Sequence, residues 1–295
     1  MGRKFWIAAI LIPIFCYFMV KYQDADFMLM VYEMIGQDPA TALRGKVVWI
    51  TGASSGIGEY LAYELAKYGC KLVLSARRKA ELERVKENCA AIATGLNSSF
   101  QKEQDILVLP LDLVKHDTHD NLTQDVIRHF GKVDILVNNG GRFQKSWMRR
   151  TPLEVDSAIF DLNVIGTISL TKAVLPYMIE RKEGKIVVVS SVLGKMGKFC
   201  LNGYFDGVRM ELAQYNIHVQ TVLPGPVASQ VTDKAFTEDI NIEYKDSPGF
   251  IKVDFPVMPT ERCAKLMVIG MANNLDEVWI SENPMLLATY MKQYF

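Results

Sequence analysis

Gly52, Gly56 and Gly58, spaced G-x-x-x-G-x-G with Ser54 and Ser55 between the first two, are the first residues in this chain whose types and order point to chemistry. Glycine accepts positive φ and lets a phosphate come close to the main chain, and the free N–H groups at a helix start attract an anion. The two serines add hydroxyl donors. Such a group is suited to cradling the pyrophosphate of a dinucleotide. An ordinary glycine-rich strand-to-helix turn would carry the same glycines, and the flanking segments favour the nucleotide site.

Those segments are what must position the cradle. Lys46 to Ile50 is a short apolar run of the kind found in a strand buried on both faces, and Glu59 to Ala66 has helical spacing of its apolar residues. The same alternation continues. Strands are expected at 70–76, 106–110, 134–137, 185–189, 217–223 and 277–281, and helices at 79–93, at about 152–180 and at 261–272. This predicts an α/β fold, a Rossmann-type doubly wound parallel sheet of about seven strands.

Further candidates fall at the ends of the expected strands. The second strand runs into Arg77-Arg78, with no carboxylate for a ribose 2′-OH, so Arg77, helped by Arg78, is placed to accept a 2′-phosphate and NADP(H) is the expected cofactor. A solvated pair opening a helix is the competing reading. Asp112-Leu113 follows the third strand, and Asn138-Asn139-Gly140-Gly141 the fourth, at the switch point of a doubly wound sheet. Asn163 interrupts an apolar helical pattern and needs hydrogen-bond partners if buried. Ser190-Ser191 ends the fifth strand and Pro224-Gly225 the sixth, and residues 227–258 have little periodicity and fit a lid over a substrate.

Composition bounds the rest. The 295 residues allow one α/β domain with a short appendage, expected over 45–295. Formal charge is zero and basic residues form no run beyond pairs, so nothing points to nucleic acid. Five scattered cysteines, with no C-x-x-C, read as free thiols, and no metal is expected. Arg3 and Lys4 precede an uncharged run from Phe5 to Val20 closed by Lys21, with aromatics near both ends. No small-x-small cleavage site follows it, so residues 1–22 are expected to be an uncleaved membrane anchor rather than a signal peptide. Residues 23–44 are a linker whose apolar patch, Phe27 to Ile35, is expected to pack on the domain rather than on a membrane. Sequons at Asn97 and Asn121 matter only for a lumenal domain.

In order, TGASSGIG at 51–58, Leu111-Asp112-Leu113, NNGG at 138–141, Asn163, Ser190-Ser191 and Pro224-Gly225-Pro226 resemble the short-chain dehydrogenase/reductase family over residues 45–281. SARR at 75–78, VDILVNNGG at 133–141 and EVWISENP at 277–284 resemble its membrane-anchored, retinal-type branch. That resemblance implies a single-pass protein of the endoplasmic reticulum membrane. It also implies NADP-dependent hydride transfer to or from an apolar retinoid or steroid-type carbonyl or alcohol, and homodimer pairing through helices at the sheet edges. By motif position the cofactor contacts fall on Gly52, Ser54, Ser55, Gly56, Ile57, Gly58, Arg77, Arg78, Asp112, Leu113, Asn139, Gly140, Pro224 and Gly225. Ser191 would orient the substrate oxygen and Asn163 hold a water relay, while a tyrosine made acidic by a nearby lysine acts as acid/base.

After Ser191 the chain departs from that pattern. The family's Tyr-x-x-x-Lys is expected on the next helix, yet Tyr204 is followed by Phe205-Asp206-Gly207-Val208, with valine at the lysine position. Counted from Ser191, Tyr204 stands where the catalytic tyrosine belongs. Counted back from Arg209, Glu211-Leu212 and Pro224-Gly225, it matches an aromatic further along the helix, and this register fits GYFDGVRMEL throughout. On that count about ten residues, the Tyr-Lys pair among them, are missing, which removes about 15 Å of helix. Two functions follow: the oxidoreductase of the resemblance, or a non-catalytic protein that binds a nucleotide or a partner.

Overall fold

The computed structural model describes residues 23–96, 100–193, 200–247 and 257–294. The anchor-like run, the sequon at Asn97 and residues 194–199 between Ser191 and the next helix lie outside the described residues.

Seven parallel strands form one sheet: β1 (Val47–Thr51), β2 (Lys71–Ser75), β3 (Ile106–Val108), β4 (Ile135–Asn138), β5 (Gly184–Val189), β6 (Ile217–Pro224) and β7 (Glu277–Ile280). Their order is β3-β2-β1-β4-β5-β6-β7. The direction of winding reverses between β1 and β4, so the loops leaving those two strands part there and open a crevice at their carboxyl ends. The expected fold class is observed.

The strands read as unbroken apolar runs because helices cover both faces. Val48, Ile50, Leu72 and Leu74 face α3 (Gly56–Lys67), α4 (Lys79–Leu96) and α10 (Thr260–Ala272). Val47, Trp49, Val73 and Leu136 face α6 (His119–Phe130), α8 (Gly166–Arg181) and α9 (Cys200–Leu212). A short helix α5 (Lys102–Asp105) leads into β3, and α7 (Leu153–Phe160) continues through a π-turn, Asp161–Ile165, into α8. The stretch 153–181 is long and apolar enough to cross a membrane. It is nevertheless a core helix, since Leu170, Val174 and Met178 are buried against the sheet.

Residues 23–44 fold onto the domain as α1 (Phe27–Ile35) and α2 (Pro39–Leu43). Leu29 is buried, and Arg262 of α10 reaches Asp24 at 2.7 Å and Glu33 at 2.7 Å. Bonding to Arg262 holds the Glu33 carboxyl down to about 2. Asp26 caps α1 and also accepts from the Trp279 N–H at 2.8 Å, which ties the segment to the edge strand β7. A final helix, α11 (Met285–Tyr294), follows β7.

Candidate active site

β1 delivers the chain to the cradle at Thr51. Gly52 and Gly56 have φ of 67° and 59°, conformations that side chains with a Cβ adopt only under strain. Gly58 brings α3 so close to the turn that a Cβ there would overlap the Gly52 carbonyl and lie 2.6 Å from Asn139 Nδ2. At Gly52 a Cβ would meet Gly140 Cα at 2.9 Å. Three backbones therefore meet in a space only glycine leaves open.

Thr51 ties them together, a role that nothing in the sequence pattern had singled out. Its hydroxyl accepts from the Asn139 and Gly140 N–H groups, both at 2.9 Å, and donates to the Val137 carbonyl at 3.2 Å. The Asn139 side chain returns a bond to the Thr51 carbonyl at 2.9 Å. Leu113 is buried against Gly140 and Gly166, which brings the loop after β3 to the same point, and Asp112 beside it is half-buried.

Ser55 is the N-cap of α3, but its side chain makes no capping bond, so the first-turn N–H groups stay available to an anion. Ile57 packs its side chain against the core and offers only its main chain to the turn. Arg78 lies over this turn, donating to Ser54 Oγ at 3.0 Å and Ser55 Oγ at 3.2 Å, and Arg77 precedes it just after β2, both arginines being exposed. A cleft of about 610 Å³ opens here between Ser55, Gly56, Arg78 and, after β6, Ser229 and Gln230. Narrow backbone spacing and free helix-start donors suit a dinucleotide pyrophosphate.

The segment after β6 is tied to the loop after β4 by Arg142. This guanidinium donates to the Lys234 carbonyl at 3.1 Å, pairs with Glu243 at 3.0 Å and sits 4.1 Å over the Phe236 ring. Burial, and then the neighbouring Arg77 charge, lowers the Arg142 pKa. Sequence gave no signal for this latch, because its partners lie 92 and 101 residues away.

Asn163 stands in the π-turn, where the helix widens. Both ends of its amide are engaged by the Arg142 main chain, accepting from N–H at 2.9 Å and donating to C=O at 2.8 Å. It thus braces the loop at the switch point. Ser191 follows β5, half-buried, and its Oγ accepts from the Leu193 N–H at 3.2 Å. At the end of β6, the Gly225 N–H donates to the Ile280 carbonyl at 2.8 Å and the glycine abuts the Ser281 side chain, so Pro224-Gly225 meets β7 rather than the glycine turn.

Tyr204 is 38% exposed on α9, edge-on to Phe205, and among the described residues no hydrogen bond joins it to Ser191 or Asn163. Arg209, the cation of α9 and the side chain that could stand in for the lysine absent at 208, is turned elsewhere. It donates to the Val219 carbonyl at 2.8 Å and the Asp276 carbonyl at 3.0 Å, near the amino ends of β6 and β7. The structure therefore assembles Gly52, Gly58, Leu113, Asn139 and Gly140 in one knot and Ser54, Ser55 and Arg78 in another. It does not bring Tyr204 and Arg209 together.

Residues 46–240 match the short chain dehydrogenase family model. The chain belongs to the short-chain dehydrogenase/reductase family. Dehydrogenase/reductase SDR family member 7 of Mus musculus is 47% identical over 299 residues, covering 98% of this chain and 86% of that protein. The 11-beta-hydroxysteroid dehydrogenase 1A of Arabidopsis thaliana is 33% identical, over 94% of this chain and 78% of that one. Among solved structures, a short chain dehydrogenase/reductase from Burkholderia phymatum in complex with NAD superposes with a TM-score of 0.68 at 19% identity, covering 85% and 93% of the two chains. By family this short-chain dehydrogenase/reductase is an oxidoreductase with a nicotinamide-cofactor fold.

Proposed function

We propose that this chain is a membrane-associated, NADP(H)-preferring oxidoreductase acting on apolar alcohols or carbonyls of retinoid or steroid type, held in the endoplasmic reticulum membrane by residues 1–22. The observation that carries the cofactor choice is Arg78 laid across Ser54 and Ser55 with Arg77 beside it, and no carboxylate at the end of β2. Two guanidiniums there favour a 2′-phosphate and offer no acceptor to the proton of a free 2′-OH. A steroid-type relative and an uncharged run at 5–20 support the apolar substrate and the membrane.

The nicotinamide, when bound, supplies or accepts a hydride. The chain's residues have to position and protonate. The Ser191 hydroxyl, at the carboxyl end of β5, is the group that would hold the substrate oxygen, and Asn163 fixes the neighbouring loop through Arg142. A proton donor is the open place in this set. Val208, not lysine, stands one turn after Tyr204, and Arg209 is bonded at the far end of the sheet.

That observation favours a second reading, a nucleotide-binding or partner-binding protein that lacks the Tyr-Lys pair. Purified full-length protein, assayed with NADPH against a panel of retinal and steroid ketones, separates the two. Oxidation of NADPH that saturates with an apolar carbonyl is expected of the oxidoreductase. Tight NADPH binding without turnover across the panel would leave the second reading.

A further inference from the structure

Helix α1 has two unlike sides. Leu29 and Glu33 point to α10, the first buried and the second paired with Arg262 and Lys265. Phe27, Met28, Met34 and Ile35 are all exposed, Met34 at 84%. At 100° per residue these four fall within an arc of about 120°, opposite Leu29 and Glu33. Four large apolar side chains exposed on one side of a nine-residue helix are a patch rather than scattered surface residues.

The patch continues onto α11. Leu287, Met291 and Tyr294 are exposed at i, i+4 and i+7 and line one face. The two faces join where the Phe27 N–H donates to the Tyr290 hydroxyl at 2.9 Å, and the Tyr290 ring stacks on Tyr294 with centroids 6.3 Å apart.

We propose that this α1–α11 face lies on the lipid bilayer, with its Met, Phe, Ile and Leu side chains at the boundary between headgroups and acyl chains. The proposal rests on the reading of Phe5 to Val20 as a membrane anchor. That run ends seven residues before Phe27, and seven residues span at most about 25 Å, so α1 cannot leave the neighbourhood of the membrane. The face carries no acidic residue, and the tyrosines at its α11 end are the side chains suited to the headgroup level. Shallow insertion of one side of a helix is how interfacial helices bind, and their affinity follows the apolar area buried.

The methionines supply a built-in test. Met34, Met28 and Met291 lie on the face, while Met148 and Met210, 94% and 83% exposed, lie in the turn before α7 and on α9. Full-length protein in lipid nanodiscs is exposed to hydroxyl radicals and each methionine sulfoxide is quantified by mass spectrometry. Met34 is expected to oxidise about fivefold or more slowly than Met148 and Met210. The exposed substitution Ile35→Glu is expected to restore Met34 and Met28 toward the Met148 rate. If Met34 keeps pace with Met148 in protein that co-elutes with the discs, the face is in water and the proposal is overturned while the anchor stands. Protein that fails to enter the discs overturns both. Protection present with two chains per disc and absent with one would assign the face to a second copy, which also overturns it.

Discussion

Inserting a ten-residue segment that carries Tyr-x-x-x-Lys between Gly203 and Tyr204 is expected to raise carbonyl reduction by about 10²- to 10⁴-fold, the usual contribution of a positioned general acid. The reason lies in the sheet's layout. Helix α9 runs antiparallel to β6, so residues added before Tyr204 extend it by about 15 Å toward the carboxyl ends of the strands, where Ser191 and the cradle lie. A lysine one turn after the new tyrosine would supply the cation that Val208 does not. A segment of equal length with Phe-x-x-x-Met controls for packing alone and is expected to leave turnover at the starting level. Steady-state NADPH oxidation reads both. If the Tyr-Lys insertion gives no rise while NADPH still binds, absence of that pair is not the limiting defect.

Phe205→Ala is expected to destabilise the domain by about 3–5 kcal/mol, the range for emptying a buried aromatic site. Phe205 and Leu212 are the described side chains of α9 that are fully buried, and Phe205 has no exposed surface at all. It fills the space above β5 and β6 among Leu170, Val188 and Val219. Leu212 and the Arg209 bonds to the Val219 and Asp276 carbonyls hold the rest of the helix in place, so little can close around the cavity. Tyr204→Ala, by contrast, is expected to cost under about 1 kcal/mol because the ring is 38% exposed. Denaturant unfolding of both variants measures the difference. A loss at Tyr204 equal to or larger than that at Phe205 would mean that Phe205 is not the chief packed residue of this turn, and the register assigned to this helix would be wrong.

What the sequence made legible and what it hid have physical reasons. The strands were legible because each is buried on both faces, so Val47 to Thr51 and Gly184 to Val189 carry no polar alternation to blur them. The glycine cradle was legible because positive φ at 52 and 56 and close backbone contact at 52 and 58 demand glycine. Helix α6 went unread, since HDNLTQDVIRHF buries little beyond Val126 among its apolar residues and covers the sheet with a mostly polar chain. The segment 27–35 reaches the domain through Leu29 and Glu33 while Phe27, Met28, Met34 and Ile35 stay exposed, and no residue pattern announced that Arg262, more than two hundred residues away, clamps it. The order of the two arginines was also hidden. Sequence put Arg77 first, whereas Arg78 is the one bonded to the turn serines. Thr51 and Arg142 belong to the same class: each acts through partners brought near only by the fold, and neither residue type is unusual where it stands.

One titration tests the central claim, that the cradle selects NADP(H), more directly than any other measurement. Full-length protein in detergent is titrated with NADPH and with NADH by intrinsic fluorescence, and the Arg78→Ala variant beside it. Charge-assisted bonds to a phosphate are worth about 1.5–3 kcal/mol, so NADPH is expected to bind at least about tenfold more tightly than NADH. The variant is expected to lose that preference while keeping NADH affinity. Equal affinity for the two nucleotides in the unaltered protein, or an unchanged preference in Arg78→Ala, would contradict the assignment of the 2′-phosphate to this pair of arginines.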